Sequence, residues 1–234
     1  MNNRVWMLSA LFGLLCVGLV WRLSSSGDVR PDDLSDKRRR SLSEAEQKRL
    51  AELEKIDPLA DSDTYVRTLD QLSPGSVRQT LRAMRTRPPE EKKNVYSAIY
   101  RKSQKPAVRK VAIVMLRQAG EPDGKLMIEA MRNDKASEVR IQAAAEIAKQ
   151  NLWEGIPALI EGMRDEDPAI RTVSRDAFEK MFGVQTQFKP NASPAEREKI
   201  VRQIERAYPQ YKKYHESAMQ VKQRQKQQTK EKNK

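Results

Sequence analysis

The residues able to do chemistry are few in kind. His215 is the sole histidine of the 234 residues and Cys16 the sole cysteine, which removes a histidine-based triad, a multi-histidine metal site and an internal disulfide. The nine glycines never take the GxGxxG or GxxxxGK spacing of a phosphate loop. Carboxylate pairs such as Glu90-Glu91 and Asp165-Glu166-Asp167 fall at helix starts and turns, where capping and the helix dipole account for them. The sequence assigns no catalytic residue, no cofactor and no metal, and the expectation is that the chain is not an enzyme and takes no small-molecule substrate.

Guanidinium groups are what remains. Arg78, Arg109, Arg140 and Arg171 recur at a spacing of 31 residues, each behind Val or Ile. A guanidinium fork binds carboxylate or phosphate bidentately. Asp134 and Asp165 each lie five residues before the Val or Ile of the next unit. A second group is denser. Arg78, Arg82 and Arg85 fall at i, i+4 and i+7, and Lys92, Lys93, Arg101 and Lys102 follow. These seven are the candidate partner-binding patch.

Charge is distributed unevenly. The net charge is +13; residues 73–117 hold twelve Lys/Arg against two acidic residues, residues 118–182 nine against thirteen, and residues 212–234 eight against two. A field concentrated in this way favours an acidic partner: a protein surface, anionic lipid or nucleic acid. Tyr96 and Tyr100 are the only aromatic residues interleaved with the basic run, little for stacking bases.

Helices must position these groups. Low aromatic content with many charges suits an all-α chain. Ser43 and Glu46 have capping-box spacing ahead of Leu50 and Leu53, so a helix opens at Ser43 and ends before Pro58; residues 63–72 fit another. Each Val-Arg or Ile-Arg pair opens an apolar pattern of helical period, as in Val108, Val111, Ala112, Met115 and Leu116. After a breaker a second helix follows: Pro88 and Pro89 before Val95, Tyr96 and Ile99; Pro122 and Gly124 before Leu126, Met127, Ala130 and Met131; Gly155 and Pro157 around Ile156, Leu159, Ile160 and Met163. Gly120 and Gly183 stand where a helix end wants a left-handed residue. Helix, turn, helix every 31 residues predicts stacked units that share one core.

The segments KPAVRKVAIVMLRQAG, SEVRIQAAAEIAKQN with EGIPALIEGMRDED, and DPAIRTVSRDAFEKMFG resemble HEAT repeats of the short bacterial kind, also called PBS-lyase HEAT-like repeats. The resemblance is strongest over residues 105–183, weaker over 73–104, and absent from both ends. FGVQTQFKPNASPAEREKIVRQIERAY is similar to the ending of many such proteins, a last polar helix after an insertion. The resemblance implies an α-α superhelix, a solenoid of about four to five helix pairs, and partner binding without naming the partner. It also implies that the recurring arginines pair with acids in the turns between repeats, a structural ladder of Arg109, Arg140 and Arg171 with Asp134 and Asp165. Some relatives are lyases, the remote alternative, but no motif here carries that activity over.

Outside the repeats, residues 5–21 read VWMLSALFGLLCVGLVW between Arg4 and Arg22, without a charge and with Trp6 and Trp21 near the ends. That length reaches about 25 Å and reads as one N-terminal transmembrane helix, with a cleaved signal as the competing reading. The flanking charges leave the side of the folded part open. The expected organisation is an anchor or signal over 1–23, a flexible tether over 24–41, capping helices over 42–72, the repeat solenoid over 73–208 and a basic, disordered tail over 209–234. The expected function is a single-pass membrane scaffold or adaptor that binds a protein partner with an acidic surface. Nucleic-acid binding through the basic first half and tail is the alternative.

Overall fold

The computed structural model describes residues 42–119 and 124–232, and their regular structure is helical throughout, with no strand among the described residues. The apolar run 5–21, the tether and Gly120 lie outside the described residues. No described helix is long and apolar enough to cross a membrane. The chain divides into two units between Lys48 and Arg49. Of the first, residues 42–48 are described: the Glu46 N–H donates to Ser43 Oγ at 3.3 Å, opening helix α1 (Glu44–Leu53) at the predicted capping spacing.

In the second unit, short side-chain caps and N-terminal prolines set where helices begin. Asp61 Oδ1 accepts the Thr64 N–H at 3.1 Å and opens α2 (Ser62–Leu69); Ser73 and Pro74 open α3 (Pro74–Ala83). Prolines also stand first in α4 (Pro89–Lys102), α5 (Pro106–Ala119), α9 (Pro168–Phe182) and α10 (Pro194–Lys232), where their fixed φ costs no hydrogen bond. Between α5 and α9 come α6 (Lys125–Asn133), α7 (Ser137–Gln150) and α8 (Ile156–Gly162), the last preceded by a 3-10 turn over Trp153–Gly155.

Ends are set by left-handed residues. Gly183 closes α9 at φ 67°, as its position predicted, and Asn151 closes α7 at φ 54°. The asparagine was not anticipated, although Asn is the residue after Gly that best tolerates this conformation.

The four Val-Arg and Ile-Arg pairs open α3, α5, α7 and α9, and Val77, Val108, Val139 and Ile170 are all buried. These helices pack one on the next. Between them in the chain lie the even helices. Across the two sets α4 packs on α5, α6 on α7 and α8 on α9; within the even set α2 packs on α4, α6 on α8 and α8 on α10. The even neighbours α4 and α6 are in less extensive contact than these pairs. An apolar core runs from Leu53 to Ala177, and a smaller one joins Ile156, Ile160 and Met163 to Phe178, Phe188 and Val201.

The tail over 209–234 was expected to be disordered or at best a fraying helix, and it is helical as far as it is described. Helix α10 does not stop at residue 208 but continues through Pro209 to Lys232. Gln, Lys, Glu and Arg are good helix formers. Pro209, inside the helix, lacks an N–H for the carbonyl four residues earlier and its ring crowds that carbonyl; beyond it Lys212 and Glu216 sit at i, i+4 with 3.9 Å between their charges.

Candidate partner-binding site

The arginine ladder is built at the turns between even and odd helices. Arg109 Nε and Nη2 donate to Asp134 Oδ2 and Oδ1 at 2.9 and 2.8 Å, and its Nη1 donates to the carbonyls of Ser103 and Gln104. Arg140 repeats the pattern: Nη1 donates to the Asp134 carbonyl at 2.9 Å and Nη2 to Asp165 Oδ1 at 3.4 Å. Arg171 keeps the carbonyl contacts, to Asp165 and Glu166, but its outer bond goes to the Pro190 carbonyl at 2.7 Å and not to an acid. Each acid also folds its own turn, Asp134 accepting the Ala136 N–H and Asp165 the Asp167 N–H, both at 2.9 Å.

Burial by itself would raise the Asp134 carboxyl. The hydrogen bonds from Arg109 and the Ala136 N–H outweigh it and hold the group below its ordinary value. The same pairing pushes Arg109 up. Tyr100, buried close by and near the charges of Asp134 and Glu129, is pushed up to about 12.

The ladder lacks its first acid. Counting back 31 residues from Asp134 leads to Ser103. Ser103 Oγ still accepts the Lys105 N–H at 3.2 Å, so the turn is made, and its own proton goes to Asp70. It offers Arg78 no charge. Among the described residues the Arg78 side chain makes no hydrogen bond or ion pair, nor do those of Arg82 and Arg85 after it, and all three are exposed on or just beyond α3.

A second column of ion pairs, not read from the sequence, ties the even helices together. Arg132 donates from Nε and Nη2 to Glu161 at 2.7 and 2.8 Å, joining α6 to α8. Arg164 donates to both Glu198 and Glu205 and joins the end of α8 to α10. Hydrogen bonds from Arg164 and Arg202 bring the Glu198 carboxyl down to about 2. The signal was an arginine near the end of each even helix, Arg101, Arg132 and Arg164. Their spacings of 31 and 32 residues break the strict period that exposed the first column.

The predicted basic patch is therefore divided. Arg78, Arg82 and Arg85 belong to the odd side. Lys93, Arg101 and Lys102 lie on α4 and face a cavity between α4 and α6. Lys92 reaches back, its Nζ donating to the Arg85 carbonyl at 3.4 Å, and Lys102 is held by Ser62 and Asp63 at 2.6 and 2.9 Å. Tyr96 and Tyr100 are buried, the Tyr96 hydroxyl donating to the Leu81 carbonyl at 3.0 Å. Among the described residues no cluster of His, Cys, Asp and Glu could hold a metal ion.

Comparison of the chain with protein families, with curated proteins and with solved structures gives no match.

Proposed function

We propose that this chain is a HEAT-type helical-repeat scaffold, tethered to a membrane through residues 5–21, that binds a protein partner with an acidic surface. One observation carries the reading: Arg78, Arg82, Arg85, Lys93 and Arg101 have no acid partner among the described residues, while Arg109, Arg132, Arg140 and Arg164 further along all do. Every arginine over residues 105–183 has a partner within the chain, whereas of the five over 73–104 only Arg87 has one among the described residues. The alternation of odd and even helices supports the HEAT assignment. The burial of Tyr96 and Tyr100 favours a protein over single-stranded nucleic acid, because it leaves no aromatic face in the patch for a base.

The test is photocrosslinking in intact membranes from probes placed at Arg82 and Lys93. A discrete protein adduct is expected, lost when Arg78, Arg82, Arg85, Lys93 and Arg101 are changed together to Glu. Recovery of nucleic acid at both positions, or adducts indifferent to the charge reversal, would sink the reading.

A further inference from the structure

Between α4 and α6 lies a cavity of about 430 Å³ whose walls carry Lys93, Arg101 and Lys102 from α4 and Lys125 and Glu129 from α6. The cavity marks a break in the even column of ion pairs. The buried faces of α6 and α8 match at a step of 32 residues, with Met127 and Met131 standing where Leu159 and Met163 stand. Those of α4 and α6 match at 31, with Tyr96 and Tyr100 on Met127 and Met131. By these steps Arg101 corresponds to Arg132, and Glu129 to Glu161.

Between α6 and α8 the rung is closed by two short bonds. Between α4 and α6 both residues line the cavity, yet neither Arg101 nor Glu129 makes a hydrogen bond or ion pair among the described residues. Helices α4 and α6 are also in less extensive contact than α6 and α8.

We propose that this gap receives an acidic segment of the protein partner, one carboxylate seated bidentately on Arg101 as Glu161 is seated on Arg132. Lys93, eight residues before Arg101 on α4 and so about 12 Å along it, takes a second acid. The proposal rests on the acidic-partner reading above and assigns the specific contact to the even helices. Arg78, Arg82 and Arg85 stand in open water, where screening leaves each contact worth little and the main effect is on encounter rate. The gap instead sets Arg101 and Lys93 along one wall, so that a fork and a carboxylate meeting there in fixed geometry discriminate among partners. Glu129 opposes any incoming carboxylate from the far wall, and Lys102 is already held by Asp63. The segment that enters must therefore carry at least two acids in order to engage both Arg101 and Lys93.

The test uses the full chain in detergent micelles and a fluorescein-labelled helical peptide with Glu on one face, read by anisotropy against the same peptide with Gln. The Glu peptide is expected to bind and the Gln peptide not to. Arg101→Ala and Arg101→Lys should each weaken binding by about tenfold, the Lys variant keeping the charge but not the fork. Glu129→Gln should tighten it, and Ser97→Glu should weaken it by placing an acid four residues before Arg101 on its own helix. If Arg101→Ala and Lys93→Ala bind as before while the triple alanine variant of Arg78, Arg82 and Arg85 does not, the gap is excluded and the acidic-partner reading survives. If the Glu and Gln peptides behave alike, whether both bind or neither does, both readings fall.

Discussion

Arg109 holds Asp134 through two parallel bonds of 2.9 and 2.8 Å, while 31 residues earlier, where Arg78 would find its acid, the chain has Ser103. The serine conserves the turn and discards the charge. Its Oγ accepts the Lys105 N–H, the counterpart of the bond from Ala136 to Asp134. One substitution in the repeat thus leaves the backbone path intact and sets an arginine free at the surface.

Stability should separate the two arginines. Asp134→Asn leaves the Arg109 fork, 14% exposed, without its carboxylate. The carbonyls of Ser103 and Gln104 still hold one of its nitrogens, so the cost should fall at about 2 to 3 kcal/mol in urea unfolding. Arg78→Ala breaks no bond and should stay within about 0.5 kcal/mol of the parent. Equal losses for the two variants would show that Arg78 is a structural rung.

Acid should find the same pair. A carboxylate whose folded value is lowered contributes stability that is present above its unfolded value, near 4, and is lost as pH falls through the lower folded value. Asp134 is such a group, held down by Arg109 and the Ala136 N–H against its burial. Melting measured at pH 7 and pH 3 should show a smaller drop for Asp134→Asn than for the parent, because the amide does not titrate. A drop at least as large in the variant would mean that Asp134 is not a source of the acid sensitivity.

The odd helices were legible because buried valine and isoleucine beside arginine recur every 31 residues, a pattern unaffected by what the loops between them do. The ladder was half legible. Asp134 and Asp165 stand at a fixed offset and do meet arginines of the column, Arg109 and Arg140, but Arg171 closes on the Pro190 carbonyl, which no side-chain pattern reports. The even column escaped because one residue more separates α6 from α8 than α4 from α6, shifting Arg164 and Glu161 out of the period. The continuation of α10 past residue 208 escaped for another reason: composition measures what a segment can bury, and this segment is helical while burying little.

Two glycines that look alike in sequence should respond differently to substitution. Gly183 has φ 67° with nothing within 4 Å of where a Cβ would stand, so Gly183→Ala costs only the left-handed strain, about 1 kcal/mol, and Gly183→Asn recovers most of it. At Gly162 a Cβ would press on Ser174 Oγ and come within 2.7 Å of Met131 Cε, where α8, α9 and α6 meet. Gly162→Ala and Gly162→Asn should both overpack the core, the alanine by about 1 to 3 kcal/mol. Thermal melts of the four variants check the contrast, which fails if Asn is tolerated equally at both sites.

Ring contacts and ion pairs hold α10 at different points along its length. Nearer its start, Arg164 grips Glu198 and Glu205; further on, His215 stacks on Trp153 with centroids 3.5 Å apart and planes 11° from parallel, and Tyr211 meets Phe182 edge-on at 5.4 Å. Of the three tryptophans, Trp6 and Trp21 can be changed to Phe, leaving Trp153 as the only indole. In that background His215→Ala removes the ring that covers the indole face and should shift Trp153 emission to the red. Arg164→Ala acts on a side chain 34% exposed and should cost about 1 kcal/mol, leaving most molecules docked and the emission shifted by a fraction of the His215→Ala effect. In 1 M salt the parent spectrum should barely change, because the contact with Trp153 is a ring stack and is not screened. If emission is indifferent to His215→Ala but follows salt, the ion pairs and not the stack hold this stretch of α10 in place.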